Sequence, residues 1–243
     1  KISPEYANYT FRSACGFMGH PNESIVKEWL SEQNVDISTI FPTIGPKDFL
    51  PLDLGVNSLW LGNYSEFNDL DVFDFKINQL QKKHPNKIIA GGYLEPRALY
   101  TSDEYETTGN YGRESRTIHL GVDFWVPVDT PVHLPFDGEV TTVTDNNKYK
   151  EYGGLIIVKH QTNGIPFYTL YGHLSLKSLE LVKVGDKLSK GSCVGFIGNR
   201  EENGSWSPHL HFQIMLSMLN FEDDFQGVAY HSEIDVWKSI CPN

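Results

Sequence analysis

Two short segments of this 243-residue chain carry side chains able to do chemistry: His119-Leu120-Gly121-Val122-Asp123 and, 90 residues further on, His209-Leu210-His211. Together they offer three imidazoles and a carboxylate. Two imidazoles and a carboxylate are a ligand set of catalytic zinc, which keeps its fourth position for water; one imidazole is left over for proton transfer. With 9 histidines in the chain, chance alone supplies an H-x-H on the order of 0.3 times. The pairing of the two segments and their strand-like surroundings therefore carry the inference. No H-E-x-x-H occurs, so a helical pair of histidines with a glutamate base is absent.

The elements that must position these groups read as strands. Residues two apart in a strand share a face, so His209 and His211 point together while Leu210 points to the opposite layer. His119 and Asp123, four apart, share a face if their segment is extended. The run Thr117 to Val126 is β-branched and aromatic, and Pro127 closes it. Pro208 precedes the second strand, which continues through Phe212-Gln213-Ile214. A third segment, Phe167-Tyr168-Thr169-Leu170-Tyr171-Gly172-His173-Leu174-Ser175, reads as a strand ending in a histidine beside a glycine.

His-x-Gly-x-Asp, then Tyr-Gly-His-Leu, then Pro-His-Leu-His-Phe resembles the lysostaphin/LytM family of zinc endopeptidases. Thr130-Pro131-Val132, Asp137-Gly138-Glu139-Val140, Tyr152-Gly153-Gly154 and Val184 to Gly191 extend the resemblance over residues 112–216. It implies one Zn2+ ion held by His119, Asp123 and His211, with His173 and His209 as the two catalytic histidines. It implies a peptide or peptidoglycan-fragment substrate, and a cleft narrowed by the polar segment 101–117 beside His119 adds the expectation of small residues, Gly or Ala, near the scissile bond. Tyr111 stands near where relatives place a tyrosine that helps hold the oxyanion, without matching its offset, and is a weaker candidate. Where the family often has glycine, Asp129 stands; aspartate tolerates the left-handed turn conformation better than most residues. Gln213 replaces a common glutamate and carries no catalytic role in the resemblance.

Competing readings are a non-catalytic zinc- or peptidoglycan-binding module on the same scaffold and a cytoplasmic amidase acting on a small molecule. Degenerate relatives lose ligands or catalytic histidines. All five are kept here, which favours an enzyme. A second similarity, in Gly91 to Tyr100, Asn203-Gly204-Ser205-Trp206 and Cys241-Pro242-Asn243, is to the peptidase segment of bacterial fusion polypeptides. There the segment lies between a kinase-like phosphotransferase and a class III aminotransferase. This similarity implies fused or neighbouring domains, residues 1–40 as the tail of the preceding one, and work in the cytoplasm.

Composition narrows the partners. The net charge of −11 disfavours nucleic acid, whose phosphates need a basic surface, and favours short peptides in solution over an anionic wall polymer. No stretch approaches the apolar length of a membrane span. The 3 cysteines, Cys15, Cys193 and Cys241, form no disulfide framework, and a Cys15–Cys241 pair stays open. His160 lies on an alternating strand and reads as structural; His20, His84, His133 and His231 receive no role.

The expected architecture is mainly β, α+β overall. An antiparallel β-sheet lysostaphin/LytM-like domain over 111–243 follows a mixed α/β extension over 1–110. Within the extension, helices are expected near 23–32 and 69–83, the second carrying Phe73, Ile77 and Leu80 on one face behind an Asn68 or Asp69 cap. Lys87-Ile88-Ile89-Ala90 reads as a short strand. Residues 101–117 are polar and Thr- and Gly-rich, and read as a long loop at the entrance to the site.

Overall fold

The computed structural model describes the chain except for residues 1–6, 8, 9, 12, 13, 16–18, 45–47, 61, 64, 65, 67, 110 and 111. Tyr111 lies outside the described residues. The amino-terminal part holds helices α1 (Glu23–Glu32), α2 (Ile37–Ile40) and α3 (Leu70–Lys83), with strands β1 (Asp48–Pro51) and β2 (Lys87–Gly91). Asp69 is the cap of α3, its carboxylate accepting from the N–H groups of Asp71 and Val72, and Lys82 and Lys83 close its last turn. Phe73 and Ile77, one helical turn apart, are buried. They pack with Leu54, Ile89 and Trp125 beneath the site.

The rest is almost all strand: β3 (Glu106–Gly109), β4 (Gly112–His119), β5 (Val122–Trp125), β6 (Pro131–His133), β7 (Gly138–Asn146), β8 (Gly153–Thr162), β9 (Ile165–Leu174), β10 (Lys187–Leu188), β11 (Cys193–Phe196), β12 (Leu210–Met215) and β13 (Val228–Tyr230). Two short helices, α4 (Ser178–Leu181) and α5 (Ile234–Ile240), complete it. The fold is mainly β and its sheets are dominated by antiparallel pairs. Among the described residues the main sheet has the order β1-β2-β5-β12-β9-β8-β7-β10, with smaller sheets β11-β6 and β13-β4-β3. Strand β1 pairs parallel to β2. Strand β2 runs antiparallel to β5, with Ala90 opposite Phe124 and Gly91 opposite Asp123, so the amino-terminal part extends the sheet that carries the motifs.

The central strand β12 is covered on both faces. One cluster contains Leu210, Val132, Val194, Ile156 and Tyr171; the other contains Met215, Leu170, Phe225, Trp237 and Ile240. Each fully buried aliphatic side chain of this kind contributes about 1.5–3 kcal/mol of transfer free energy.

Residues 101–117 differ from the expected loop. Asp103–Tyr105 form a 3₁₀ turn, and β3 and β4 pair as a hairpin with Glu106 opposite Ser115. The alternation of Thr, Glu and Arg there suits a hairpin with a wet outer face, and the polar content masked the strands. Asp129 does adopt the left-handed conformation, φ +63°, and its carboxylate pairs with Lys177 at 2.5 Å. His160 is buried, with Nδ1 on the Asp137 carbonyl at 2.8 Å and Nε2 on the Thr169 hydroxyl at 2.7 Å. Both ring nitrogens are thereby committed within the fold. All three cysteines are free: Cys15 is exposed and Cys241 buried.

Candidate active site

His119, Asp123 and His211 reach one point from three strands. His119 ends β4 and Asp123 lies in β5, so the expected single extended segment is in fact two strands of different sheets, joined by a bend at Leu120-Gly121. His211 sits in β12 opposite Asp123 on one side and Gly172 of β9 on the other. Gly121 permits the bend to pass the site: a Cβ there would stand 2.7 Å from Nε2 of His211 and 2.6 Å from the Phe212 carbonyl. The glycine of His-x-Gly-x-Asp is therefore a packing requirement of the third group.

The donor chemistry of this trio is resolved by what stands behind it. Nδ1 of His119 lies 2.9 Å from the Gly92 carbonyl, which can only accept, so Nδ1 carries the proton and Nε2 a lone pair. Nε2 of His211 lies 2.9 Å from Oε1 of Gln213, while the Gln213 amide nitrogen donates to the Gln226 carbonyl at 3.1 Å and to Sγ of Cys241. His211 therefore also turns a lone pair inward, from Nδ1. The two lone-pair atoms are 2.9 Å apart. Oδ1 of Asp123 is 3.3 Å from one and 3.2 Å from the other. Three acceptors converging on a dry point repel one another unless a cation lies between them. The residues present thus fit a metal ion.

Arg97 holds the far side of Asp123. Its Nη1 donates to Oδ2 at 2.6 Å and its Nε to Glu95 at 2.7 Å, with the guanidinium only 1% exposed. Burial works against the Asp123 charge, but His119 and Arg97 outweigh it and hold the carboxyl well below the usual range. Burial, with Arg97 adding to it, pushes His119 down to about 4. Gly92, φ +104°, lets its carbonyl face His119; a Cβ there would overlap the Arg97 guanidinium. Tyr100 stacks on His119 with ring centroids 6.3 Å apart and accepts from Arg97 at 3.3 Å.

His173 and His209 stand beside this trio with ring centroids 4.2 Å apart. His209 Nδ1–H donates to the Ser207 carbonyl at 2.7 Å and His173 Nδ1–H to the Asn203 carbonyl at 3.0 Å. Among the described residues neither Nε2 has a hydrogen bond, and that of His209 is 3.7 Å from Oδ1 of Asp123. Burial lowers both pKa values, and in His173 the neighbouring His209 and His211 add to it. His173 has φ +64°. The strain of about 1–3 kcal/mol is held by its N–H on the Tyr152 carbonyl and its own carbonyl on the Gly198 N–H, both 2.9 Å.

The structure brings all five expected side chains together. Gly92, Arg97, Tyr100 and the supporting role of Gln213 did not emerge from sequence reading. Gln213 offered a signal, being two residues beyond His211 on the same strand face. Arg97 offered only a lone arginine after Glu95-Pro96. Because an amide orienting a metal-ligating imidazole typically affects metal affinity by about 10–100-fold, Gln213→Leu is expected to weaken metal binding by that factor while the fold persists. Competition with a chromophoric chelator measures it; unchanged affinity would remove Gln213 from the site.

Residues 117–222 match the model of peptidase family M23. Over 98 residues the chain is 37% identical to the peptidoglycan DD-endopeptidase ShyA of Vibrio cholerae, covering 40% of this chain and 20% of that protein. Over 102 residues it is 37% identical to the glycyl-glycine endopeptidase ALE-1 of Staphylococcus capitis, covering 42% and 26%. The chain thus spans about a fifth to a quarter of the length of these relatives. The solved catalytic domain of lysostaphin from Staphylococcus simulans is 27% identical over 51% of this chain and 81% of that one, with a TM-score of 0.34. The matched segment holds all five site residues, and over that segment the chain is similar to peptidase family M23.

Proposed function

We propose that the chain is a zinc metallopeptidase that hydrolyses amide bonds in short peptides of small residues, Gly or Ala. The observation that carries this reading is the convergence of three lone-pair donors next to two imidazoles with uncommitted Nε2 atoms. His119, Asp123 and His211 would hold the ion. Tetrahedral zinc with bonds of about 2.0–2.1 Å places its ligand atoms about 3.3 Å apart, close to the 2.9, 3.2 and 3.3 Å seen here. When bound, zinc supplies a Lewis acid that acidifies water and polarises a carbonyl.

The remaining chemistry belongs to the chain's own side chains. His209 and His173 enter the reaction neutral, because burial disfavours their charged forms. One takes the proton of the attacking water at Nε2, and the pair returns it to the nitrogen of the leaving amine. Their 4.2 Å centroid separation disfavours charging both at once, so a single proton passes through the pair. Asn203 and Ser207 hold the required tautomers through their carbonyls.

The site is narrow. Tyr105 and Arg116, from the 3₁₀ turn and hairpin, help to line a cavity of about 240 Å³ against His119, His173 and His211. That suits a thin, small-residue backbone, as does the glycyl-glycine activity in the name of ALE-1. The zinc-loaded protein is expected to cleave pentaglycine or alanyl peptides more readily than intact peptidoglycan, whose anionic polymer meets a chain of net charge −11. Chromatography of the products checks this. Lysis of intact wall without cleavage of short peptides would reverse the substrate preference. Inactivity on every peptide with zinc bound would remove the peptidase reading.

A further inference from the structure

The cavity beside the metal-binding residues has a charge arrangement the hydrolytic step does not use. Glu151 and Asp224 both line it. The Glu151 carboxylate has no ion pair and no side-chain hydrogen bond among the described residues, although the residue is half-buried. Among the described residues Asp224 receives only the Phe225 N–H at 2.7 Å and the Asn146 amide at 3.3 Å. Two cationic side chains line the same space, and both are engaged. Arg116 donates to the Glu104 carbonyl at 3.2 Å and lies 5.6 Å over the Tyr105 ring. Lys150 donates to the Leu99 carbonyl at 3.0 Å.

Independent of the acids, two buried polar atoms of residues that line the cavity lack partners among the described residues. They are the hydroxyl of Tyr152, a residue 8% exposed, and Nε1 of Trp206, a residue 5% exposed. Both rings stand at the metal end. Tyr152 is 5.4 Å from His211 and Trp206 is 6.2 Å from His173, centroid to centroid. Buried polar groups left unpaired at a cavity wall cost free energy that a bound polar ligand recovers. An open carboxylate in a space walled by Tyr105, Tyr152, Phe221 and Phe225 is complementary to a small ammonium group, which charge-assisted hydrogen bonds and aromatic faces both stabilise.

We propose that Glu151 and Asp224 bind the free ammonium group at the amino terminus of the substrate, so that the domain acts on an amide close to that end. This rests on the peptidase reading above and narrows its substrate to peptides with an unblocked amino terminus. Burial raises the pKa values of both carboxyls, with repulsion from Asp224 adding to it in Glu151 and the charges of Arg116 and Lys148 offsetting part of it in each; a bound cation acts against the burial cost. The volume of about 240 Å³ lies below the roughly 300–1,000 Å³ of drug-sized ligand sites. It therefore suits a short stretch of chain.

The test compares trialanine with N-acetyl-trialanine on the zinc-loaded full chain. A preference of about tenfold or more in kcat/KM for the free amine is expected, the worth of a hydrogen-bonded charge. In Glu151→Gln and in Asp224→Asn the ratio should fall toward one, with zinc content and thermal midpoint confirming intact protein. Equal handling of the two peptides by the wild type, or a preference that survives both substitutions, overturns the proposal and leaves the peptidase reading standing. Binding is read separately by calorimetry with alanyl-alanine amide and its N-acetyl form. If neither peptide is cleaved, binding of the free-amine form alone, lost in Glu151→Gln, supports the proposal while the peptidase reading fails. Equal binding of both forms, or binding of neither, overturns it.

Discussion

Asp123→Ala is expected to lose essentially all bound zinc. The carboxylate is the one anionic member of the trio, and its Oδ1 lies within 3.3 Å of both inward-facing imidazole nitrogens. Its removal leaves two neutral lone pairs 2.9 Å apart with no charge to hold the ion. The same change strips Arg97 of its 2.6 Å partner and leaves Glu95 as its remaining carboxylate. Breaking a buried ion pair from one side costs about 3–5 kcal/mol, so a lowered thermal midpoint should accompany the metal loss. Asp123→Asn keeps the volume and an acceptor for Arg97, and separates the two effects: zinc content should fall with a smaller change in midpoint. Metal analysis by mass spectrometry decides the matter. Stoichiometric zinc in both variants would take Asp123 out of the ligand set.

His209→Ala should give the opposite pattern: zinc retained and turnover reduced by about 10²-fold or more, the usual worth of a positioned acid or base. His209 has its Nδ1 proton committed to the Ser207 carbonyl, and its ring is held against Trp125 with centroids 5.4 Å apart. Truncation removes the Nε2 proposed to handle the proton and leaves His119, Asp123 and His211 as they stand. His173→Ala should behave alike, and the double variant should cost little more than either single one, because the two rings share one proton. Parallel zinc analysis and kcat measurement provide the check. Loss of zinc in His209→Ala with retention in His211→Ala would exchange the roles of the two histidines.

The candidate groups were readable from the chain because they sit in strands, where a period of two ties spacing to direction. His209-Leu210-His211 behaves that way, with Leu210 in the core cluster and both imidazoles beside Asp123. His119 and Asp123 meet for a different reason from the one their spacing suggests, since the chain changes sheets between them. The helix Leu70–Lys83 and the strand Lys87–Gly91 were visible from periodicity and capping. The hairpin of β3 and β4 was hidden because its side chains are polar, and polar strands carry little hydrophobic alternation.

By itself, then, the amino-acid sequence determined the element types around the motifs and, with the family resemblance, singled out the five side chains that the fold gathers. Local periodicity and residue chemistry underlie those. Only the tertiary structure decided which lone pairs face inward, because that depends on the Gly92 carbonyl, Gln213 and two backbone carbonyls distant in sequence from the imidazoles they orient or adjoining them by a turn. It also decided that Arg97, 26 residues before Asp123, clamps the carboxylate, and that Glu151 and Asp224 face one cavity. Such partners are chosen by sheet order and by burial, which leave no fixed spacing in the chain. A desolvated charge must find its counter-charge wherever the fold places one.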